Sequence, residues 1–268
     1  MAFIGFIGAG NMGYPMLVGA SDVFGVNEVV FSEVNPERSK EVKEKTGLDF
    51  MPDNKSLAAS VKYIILAVKP QFLDNVFDQI KDVVTSQQVI ISIAAGITID
   101  TIKKGLGSNM RIVRAMPNTP ALVKEGMTGI CFSKDTFSDD EKEVVFRLFS
   151  SFGKYQIFDE NLMNAVVCAN GSSPAYVYIF IEALADSVVK YGIPRDKAYR
   201  LVAQTVLGAA KMVMETGEHP GKLKDQVCSP GGTTIAAVAA LEEYGFRNAI
   251  IKATDACYEK AESLNKVK

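Results

Sequence analysis

The sequence predicts an α/β fold: a doubly wound parallel sheet in the first half, followed by an all-helical second half. Three observations carry this. Short apolar runs alternate with helical patterns up to about residue 158. Those runs are apolar on both faces, as strands covered by helices on two sides must be. Beyond residue 158 only helical periodicity is found. The boundary is therefore placed between a domain of residues 1–158 and one of residues 159–268. A chain of 268 residues can supply both with a core.

The strands are predicted at 3–7, 28–31, 63–68, 89–93 and 111–115, with 128–132 after them. Helical stretches fall between most of these, as at 71–84, where Phe72, Val76, Phe77 and Ile80 recur at helical spacing. Pro70 opens that helix and forces an extended backbone on Lys69. Ser138-Asp139-Asp140-Glu141 reads as a capping box opening a helix that ends near Gly153. In the second half helices are predicted at 162–169, 175–191, 194–216 and 234–264. Gly192, Pro194 and His219-Pro220-Gly221 punctuate them.

The stretch 175–185 is apolar nearly all round, Glu182 excepted. A helix of that kind is buried on most sides, and a helical half of about 110 residues can hardly bury it alone. Packing against a second subunit is the economical explanation, so a homodimer is expected. The alternative is burial between the two domains.

Hydrophobic residues at 48% and charged residues at 22% are ordinary for a globular protein. A net charge of −2 gives no general attraction to nucleic acid or anionic membrane, so any bound anion must be held locally. Cys131, Cys168, Cys228 and Cys257 are widely spaced and form no C-x-x-C pair. That pattern fits buried thiols better than disulfides or a metal site. The apolar N-terminal stretch has no basic segment, and its glycines are spaced as in a nucleotide loop. No apolar run has membrane-spanning length, and a cytoplasmic location is expected.

Two anion-binding loops stand out. The first follows strand 3–7: Gly8-Ala9-Gly10-Asn11-Met12-Gly13 is G-x-G-x-x-G, with helical sequence after it. In that context Gly8 permits the turn, Gly10 lets a pyrophosphate approach the backbone, and Gly13 lets helix and strand pack closely. This is the signature of a Rossmann-like dinucleotide site. Ser32-Glu33-Val34-Asn35 ends the second strand, where the adenosine ribose is read. Glu33 suits the two ribose hydroxyls of NADH and repels a 2′-phosphate, whereas Ser32, Asn35 and Arg38 accommodate one; the balance leans to NADH. Ala67, Val68, Lys69 and Pro70 end another strand on the cofactor side, and Met116, Pro117 and Asn118 end a third. Asn54 is either an N-cap or an adenosine contact.

The second loop is Ser229-Pro230-Gly231-Gly232-Thr233-Thr234, at the head of an apolar helical run. Backbone N–H groups converge at such a helix start and the helix dipole favours negative charge. The bland reading is an ordinary helix start capped by Ser229 or Thr233.

Taken in order, G-x-G-x-x-G, Ala67-Val68-Lys69-Pro70, Met116-Pro117-Asn118-Thr119-Pro120 and Ser229–Thr234 resemble the pyrroline-5-carboxylate reductase family over essentially the whole chain. The late segment is the most specific part, with Leu223, Val227, Cys228, Gly231, Gly232, Thr234 and Leu241 at that family's spacings. The resemblance implies hydride transfer from NADPH or NADH to 1-pyrroline-5-carboxylate, giving L-proline. It implies that Ser229, Gly231, Gly232, Thr233 and Thr234 hold the substrate carboxylate, with Thr234 beside the ring nitrogen as the catalytic partner. It further implies that Asn54, Ala67, Lys69 and Pro70 line the nucleotide site, and that C-terminal helices interlock in dimers or larger rings. Where many members carry a serine or basic residue for a 2′-phosphate, this chain has Glu33 and Val34.

The residue roster agrees with an imine substrate. The one histidine, His219, stands in an apparent surface loop, and no lysine occurs in 165–185, where related hydroxyacid dehydrogenases carry theirs. A ketone reductase needs an acid for the developing alkoxide, whereas a cyclic imine nitrogen accepts its own proton. The rival readings are a reductase of another small imine or a hydroxyacid, an enzyme reducing NADP with a deazaflavin, and a non-catalytic nucleotide-sensing dimer.

Overall fold

The computed structural model describes residues 3–266. Eight strands form one sheet in the order β3-β2-β1-β4-β5-β6-β7-β8. They are β1 Ile4–Ile7, β2 Val29–Ser32, β3 Asp49–Phe50, β4 Tyr63–Leu66, β5 Val89–Ser92, β6 Arg111–Met116, β7 Gly126–Phe132 and β8 Gly153–Ile157. The helices beside it are α1 Gly13–Phe24, α2 Pro36–Thr46, α3 Asn54–Ser60, α4 Leu73–Ile80, α5 Ile99–Leu106 and α6 Asp139–Ser150. The helical remainder comprises α7 Met163–Val166, α8 Ser173–Val189, α9 Arg195–Thr216, α10 Pro220–Val227, α11 Thr233–Glu243 and α12 Phe246–Lys266. The doubly wound α/β sheet followed by helices is the fold that the sequence predicts.

Central strands β1, β4 and β5 are fully buried along their length, which is why they read as continuous apolar runs. One face packs Phe6, Phe31 and Ile91 with Met16 and Leu17 of α1 and Leu148 and Phe149 of α6. The other packs Ile7, Ile64 and Ile90 with Leu57, Phe77 and Ile102 of α3, α4 and α5. At the base of α6 the expected capping box is present: Ser138 Oγ accepts the Glu141 N–H and Glu141 accepts the Ser138 N–H. Glu141 also receives Arg111 at 2.6 Å and Lys62 at 3.2 Å.

Four expectations are corrected. The sheet is not wholly parallel, because β7 runs antiparallel to β6. Only residues 117–125 join the two strands, too few for the crossover a parallel pair needs. Two edge strands, β3 and β8, carried no strand signal. β3 is two exposed residues, and β8 mixes polar and apolar residues on a mostly exposed edge. The predicted helix 234–264 is two helices, broken where Gly245 takes φ 72°. The helix α10 was not foreseen, and His219, read as a loop residue, is its N-cap, with Nδ1 accepting the Gly221 N–H at 3.1 Å.

The described residues divide into two compact units, one of residues 3–172 together with 257–266, the other Ser173–Ala256. This differs from the 158/159 division. Met163 and Val166 belong to the core beside Cys131 and Ile7, so residues just past 158 remain with the sheet. In the second unit the buried core is small, Ala185, Ala198 and Val202. The α8 helix, expected to be covered, is open in the single chain: Tyr178 is 59% and Ile179 64% exposed. Of the thiols, Cys131 and Cys168 are buried, which pushes both up to about 11, while Cys228 and Cys257 are only partly covered.

Candidate functional site

The glycine loop is built by backbone contacts. Gly8 takes φ +99°, a conformation side chains avoid, and a Cβ there would lie 2.8 Å from the Ala67 carbonyl oxygen. A Cβ on Gly13 would collide with the Gly8 carbonyl. Around Gly10 there is open space, and Gly10 and Asn11 are exposed. Helix α1 starts at Gly13 with Met12 as its cap residue and no side-chain cap. Its first N–H groups therefore face a cradle that a dinucleotide pyrophosphate fits.

The Ala9 peptide is gripped from both sides. Its N–H donates to Glu33 Oε2 at 2.9 Å, and its carbonyl accepts from Arg38 Nε at 2.9 Å. Glu33 Oε1 also accepts the Asn35 N–H at 3.1 Å. The Asn35 side chain caps α2, accepting from Glu37 and Arg38. The Arg38 guanidinium lies 5.0 Å over the Tyr14 ring and pairs with Glu41. The Lys45 ammonium and, after it, the Arg38 guanidinium lower the Glu41 carboxyl to about 2.

Ser32 and Asn54 differ from expectation. Ser32 is 2% exposed and its hydroxyl donates to Asn54 Oδ1 at 2.6 Å. Asn54 is not an N-cap: Asp53 caps α3, accepting from Ser56, and Asn54 is the first helical residue. The Asn54 amide in turn donates to Gln79 at 2.6 Å. The hydroxyl proposed for a 2′-phosphate is thus spent inside the protein. In front of these residues lies a cavity of about 450 Å³ whose walls include Glu33, Asp53 and Asp78. Gln79, a polar residue within α4, had no sequence signal of its own.

Two further loops share this edge of the sheet. Ala67 donates to the Ile7 carbonyl, Val68 follows half-buried, and Lys69 is extended and exposed before the 3₁₀ turn that Pro70 opens. At the end of β6, Met116 is half-exposed and Pro117 buried. The Asn118 side chain faces inward, its Oδ1 accepting the Met127 N–H at 2.8 Å and its Nδ2 donating to the Asn170 carbonyl at 3.1 Å. Since β1, β2, β4, β5 and β6 are mutually parallel, all these loops lie at their carboxyl ends. Open α/β sheets bind ligands in that position.

The second loop belongs to the second unit. Gly231 takes φ +68° in open space, and Gly232 occupies the N-cap position of α11, donating to the Ser229 carbonyl at 3.0 Å. No side chain caps this helix, so neither Ser229 nor Thr233 plays the cap role the bland reading gave them. Thr233 and Thr234 are its first two residues, exposed and half-buried.

The pyrroline-5-carboxylate reductase dimerisation model matches residues 160–264, and the model for coenzyme F420-dependent NADP oxidoreductases matches residues 3–96. A curated pyrroline-5-carboxylate reductase of Escherichia coli strain K12 is 44% identical over 265 residues, covering 98% of both chains. The chain belongs to the pyrroline-5-carboxylate reductase family. Such a reductase is an NAD(P)-dependent oxidoreductase of proline biosynthesis, reducing the cyclic imine to L-proline. Solved reductases share the architecture. The one from Coxiella burnetii has a TM-score of 0.91 at 35% identity, and that from Plasmodium falciparum, solved with NADP bound, 0.88 at 33%; each match covers 98% of both chains. The F420-type match confined to the first domain explains why a deazaflavin enzyme shares the glycine loop, while the match over 160–264 sets the reductase apart.

Proposed function

We propose that this reductase holds the carboxylate of 1-pyrroline-5-carboxylate on the loop Ser229, Gly231, Gly232, Thr233 and Thr234. The uncapped start of α11 carries this reading. A helix start without a side-chain cap has N–H donors to spare, and Gly231 and Gly232 add no side chain in front of them. Thr234, in the first turn, supplies a hydroxyl for the ring nitrogen and is the catalytic partner in this reading. The nitrogen takes its proton without a strong acid, so the hydroxyl need only orient the iminium and stabilise its N–H.

In the first unit Gly8, Ala9, Gly10, Asn11, Met12 and Gly13 hold the pyrophosphate. Ala67, Val68, Lys69, Pro70, Met116, Pro117 and Asn118 border the rest of the cofactor. When bound, the reduced nicotinamide supplies the hydride. Glu33 accepts the ribose hydroxyls, and Ser32 and Asn54 hold its strand end from behind. With Ser32 buried and Glu33 charged, NADH is the preferred cofactor over NADPH.

Two copies associate through the open apolar face of α8, and larger rings build on that dimer. The place of work in this reading is the cytoplasm; no helix among the described residues is long and apolar enough to cross a membrane. The test is NADH and NADPH oxidation with pyrroline-5-carboxylate, with 1-pyrroline lacking the carboxylate, and with 2-keto and 3-keto acids. The carboxylated imine should be turned over far faster than 1-pyrroline and the keto acids. Equal kcat/KM for the two imines would remove the carboxylate role of the loop.

A further inference from the structure

The turn Val167–Gly171 is π-helical, with the Ser172 N–H donating to the Val167 carbonyl at 2.9 Å. An inserted residue of this kind redirects side chains and is frequent at functional sites. Here it carries Asn170, which is 8% exposed. The Asn170 amide nitrogen donates to the Met116 carbonyl at 2.8 Å and to the Met127 carbonyl at 2.7 Å. Its own backbone carbonyl accepts from Asn118 Nδ2, and Asn118 Oδ1 takes the Met127 N–H. Two asparagines thus cross-tie the ends of β6 and β7. Between two carbonyls only the NH₂ end of the carboxamide fits, so the orientation is fixed by chemistry. That leaves Asn170 Oδ1 buried with no hydrogen-bond partner among the described residues.

A buried carboxamide that gives both its donors to backbone carbonyls ties the two strand ends at fixed positions. What the arrangement secures is the position of one residue. Met116 is held by its carbonyl, and its side chain rests on Gly171, where a Cβ would lie 2.5 Å from Met116 Cε. Met116 ends β6 at the carboxyl edge of the sheet that also carries the glycine loop.

We propose that Asn170 is a positioning residue for hydride transfer: its carboxamide fixes the Met116 carbonyl, and so the Met116-Pro117 edge that borders the cofactor. The inference rests on the reading that residues 116–118 border the cofactor, and it adds the group that holds them there. Asn170 touches neither substrate nor cofactor in this role.

The test compares Asn170→Asp, which keeps the size but loses both donors, with Gly171→Ala, which keeps the donors and displaces the Met116 side chain. Pro117→Gly, on the edge itself, is the control. Thermal melting, KM for cofactor, KM for imine and kcat are measured for each. Asn170→Asp should lose about tenfold or more in kcat, within the roughly hundredfold that a misplacement of about 1 Å can cost, whereas Gly171→Ala, which leaves the Met116 carbonyl tied and meets only its terminal methyl, should lose less. KM for the imine should move less than about twofold, because the carboxylate loop is untouched. If Asn170→Asp melts lower but keeps wild-type kinetics, its role is structural and the proposal falls. If Pro117→Gly alone disturbs cofactor kinetics, the edge reading stands and the positioning role is rejected. If Pro117→Gly also behaves as wild type, the edge reading fails and the proposal with it.

Discussion

Glu33 accepts the backbone N–H of Ala9 at 2.9 Å, so the carboxylate that ends β2 also fastens the glycine loop. In the proposed reading its charge opposes a 2′-phosphate, and the neighbouring Ser32 hydroxyl is turned inward to Asn54. Like charges brought that close cost on the order of several kcal/mol. Glu33→Ser should therefore shift the NADPH/NADH ratio of kcat/KM by about tenfold or more towards NADPH. Because the loop loses an anchor in the same step, both cofactors should bind more weakly, and the ratio is the informative quantity. Glu33→Gln, which keeps an acceptor without the charge, should shift the ratio in the same direction. An unchanged ratio in both variants would reject the role.

Thr234 and Gly232 make different demands on the late loop. Thr234→Ala removes one hydroxyl and should lower kcat/KM by about 1–3 kcal/mol, the scale of a hydrogen bond to a charged group. Gly232 has φ −79° and ψ 171°, which any residue adopts, so only space forbids a side chain there. A Cβ would run into Ser229 Oγ and lie 3.1 Å from the Ser229 carbonyl oxygen. Gly232→Val should raise KM for the carboxylated imine more than Thr234→Ala does. With 1-pyrroline, which has no carboxylate to place, the same variant should change little. Comparable losses on both substrates would argue against a carboxylate site.

The parts of this protein that were readable from sequence are those where local chemistry leaves few choices. Gly8, Gly10 and Gly13 at the end of a fully buried strand specify a turn, an open backbone and a close approach, and the structure has all three. Glu141 three residues after Ser138 specifies a cap. What escaped depends on contacts distant in the chain. β8 exists because β7 offers it a partner, not because Gly153-Lys154-Tyr155-Gln156-Ile157 has a strand pattern. Ser32 looked available to a phosphate because nothing in the sequence places Asn54 against it, 22 positions away. Gly245 was submerged in a helical pattern that continues on both sides.

The Glu141 carboxylate gives a stability prediction with a defined pH window. Burial pushes its pKa up, but the Ser138 N–H, Arg111 and Lys62 together outweigh burial and hold it below the ordinary value of 4.5. A carboxyl depressed in the folded state stabilises fully above its unfolded pKa, and that contribution is lost as pH falls through the folded pKa. Glu141→Gln should destabilise by about 2–4 kcal/mol at neutral pH, since it strands Arg111 beside a neutral partner. Between neutral pH and 4.5 the wild type should hold this advantage, and below 4.5 it should shrink. Chemical denaturation at a series of pH values measures both curves. Parallel curves into the acid range would show that this carboxylate does not govern acid stability.

Ile179 tests the partner surface. It is 64% exposed on α8, beside a groove of about 470 Å³ lined by Phe180 and Leu184 from the same helix and Phe246 and Ile250 from α12. An apolar groove of this kind on a single chain marks a docking surface, and the dimerisation match over residues 160–264 covers all of it. Ile179→Asp places an unpaired carboxylate where two copies would meet, a desolvation cost of several kcal/mol. Sedimentation velocity should show the wild type as a dimer or larger assembly and the variant largely as monomer. NADH binding followed by fluorescence should survive, because the glycine loop and Glu33 lie in the other compact unit. Turnover should fall with dissociation if the late loop is completed by the second copy, and wild-type activity should then fall on dilution below the dimer dissociation constant. A variant that sediments as the wild type would place the self-association surface elsewhere.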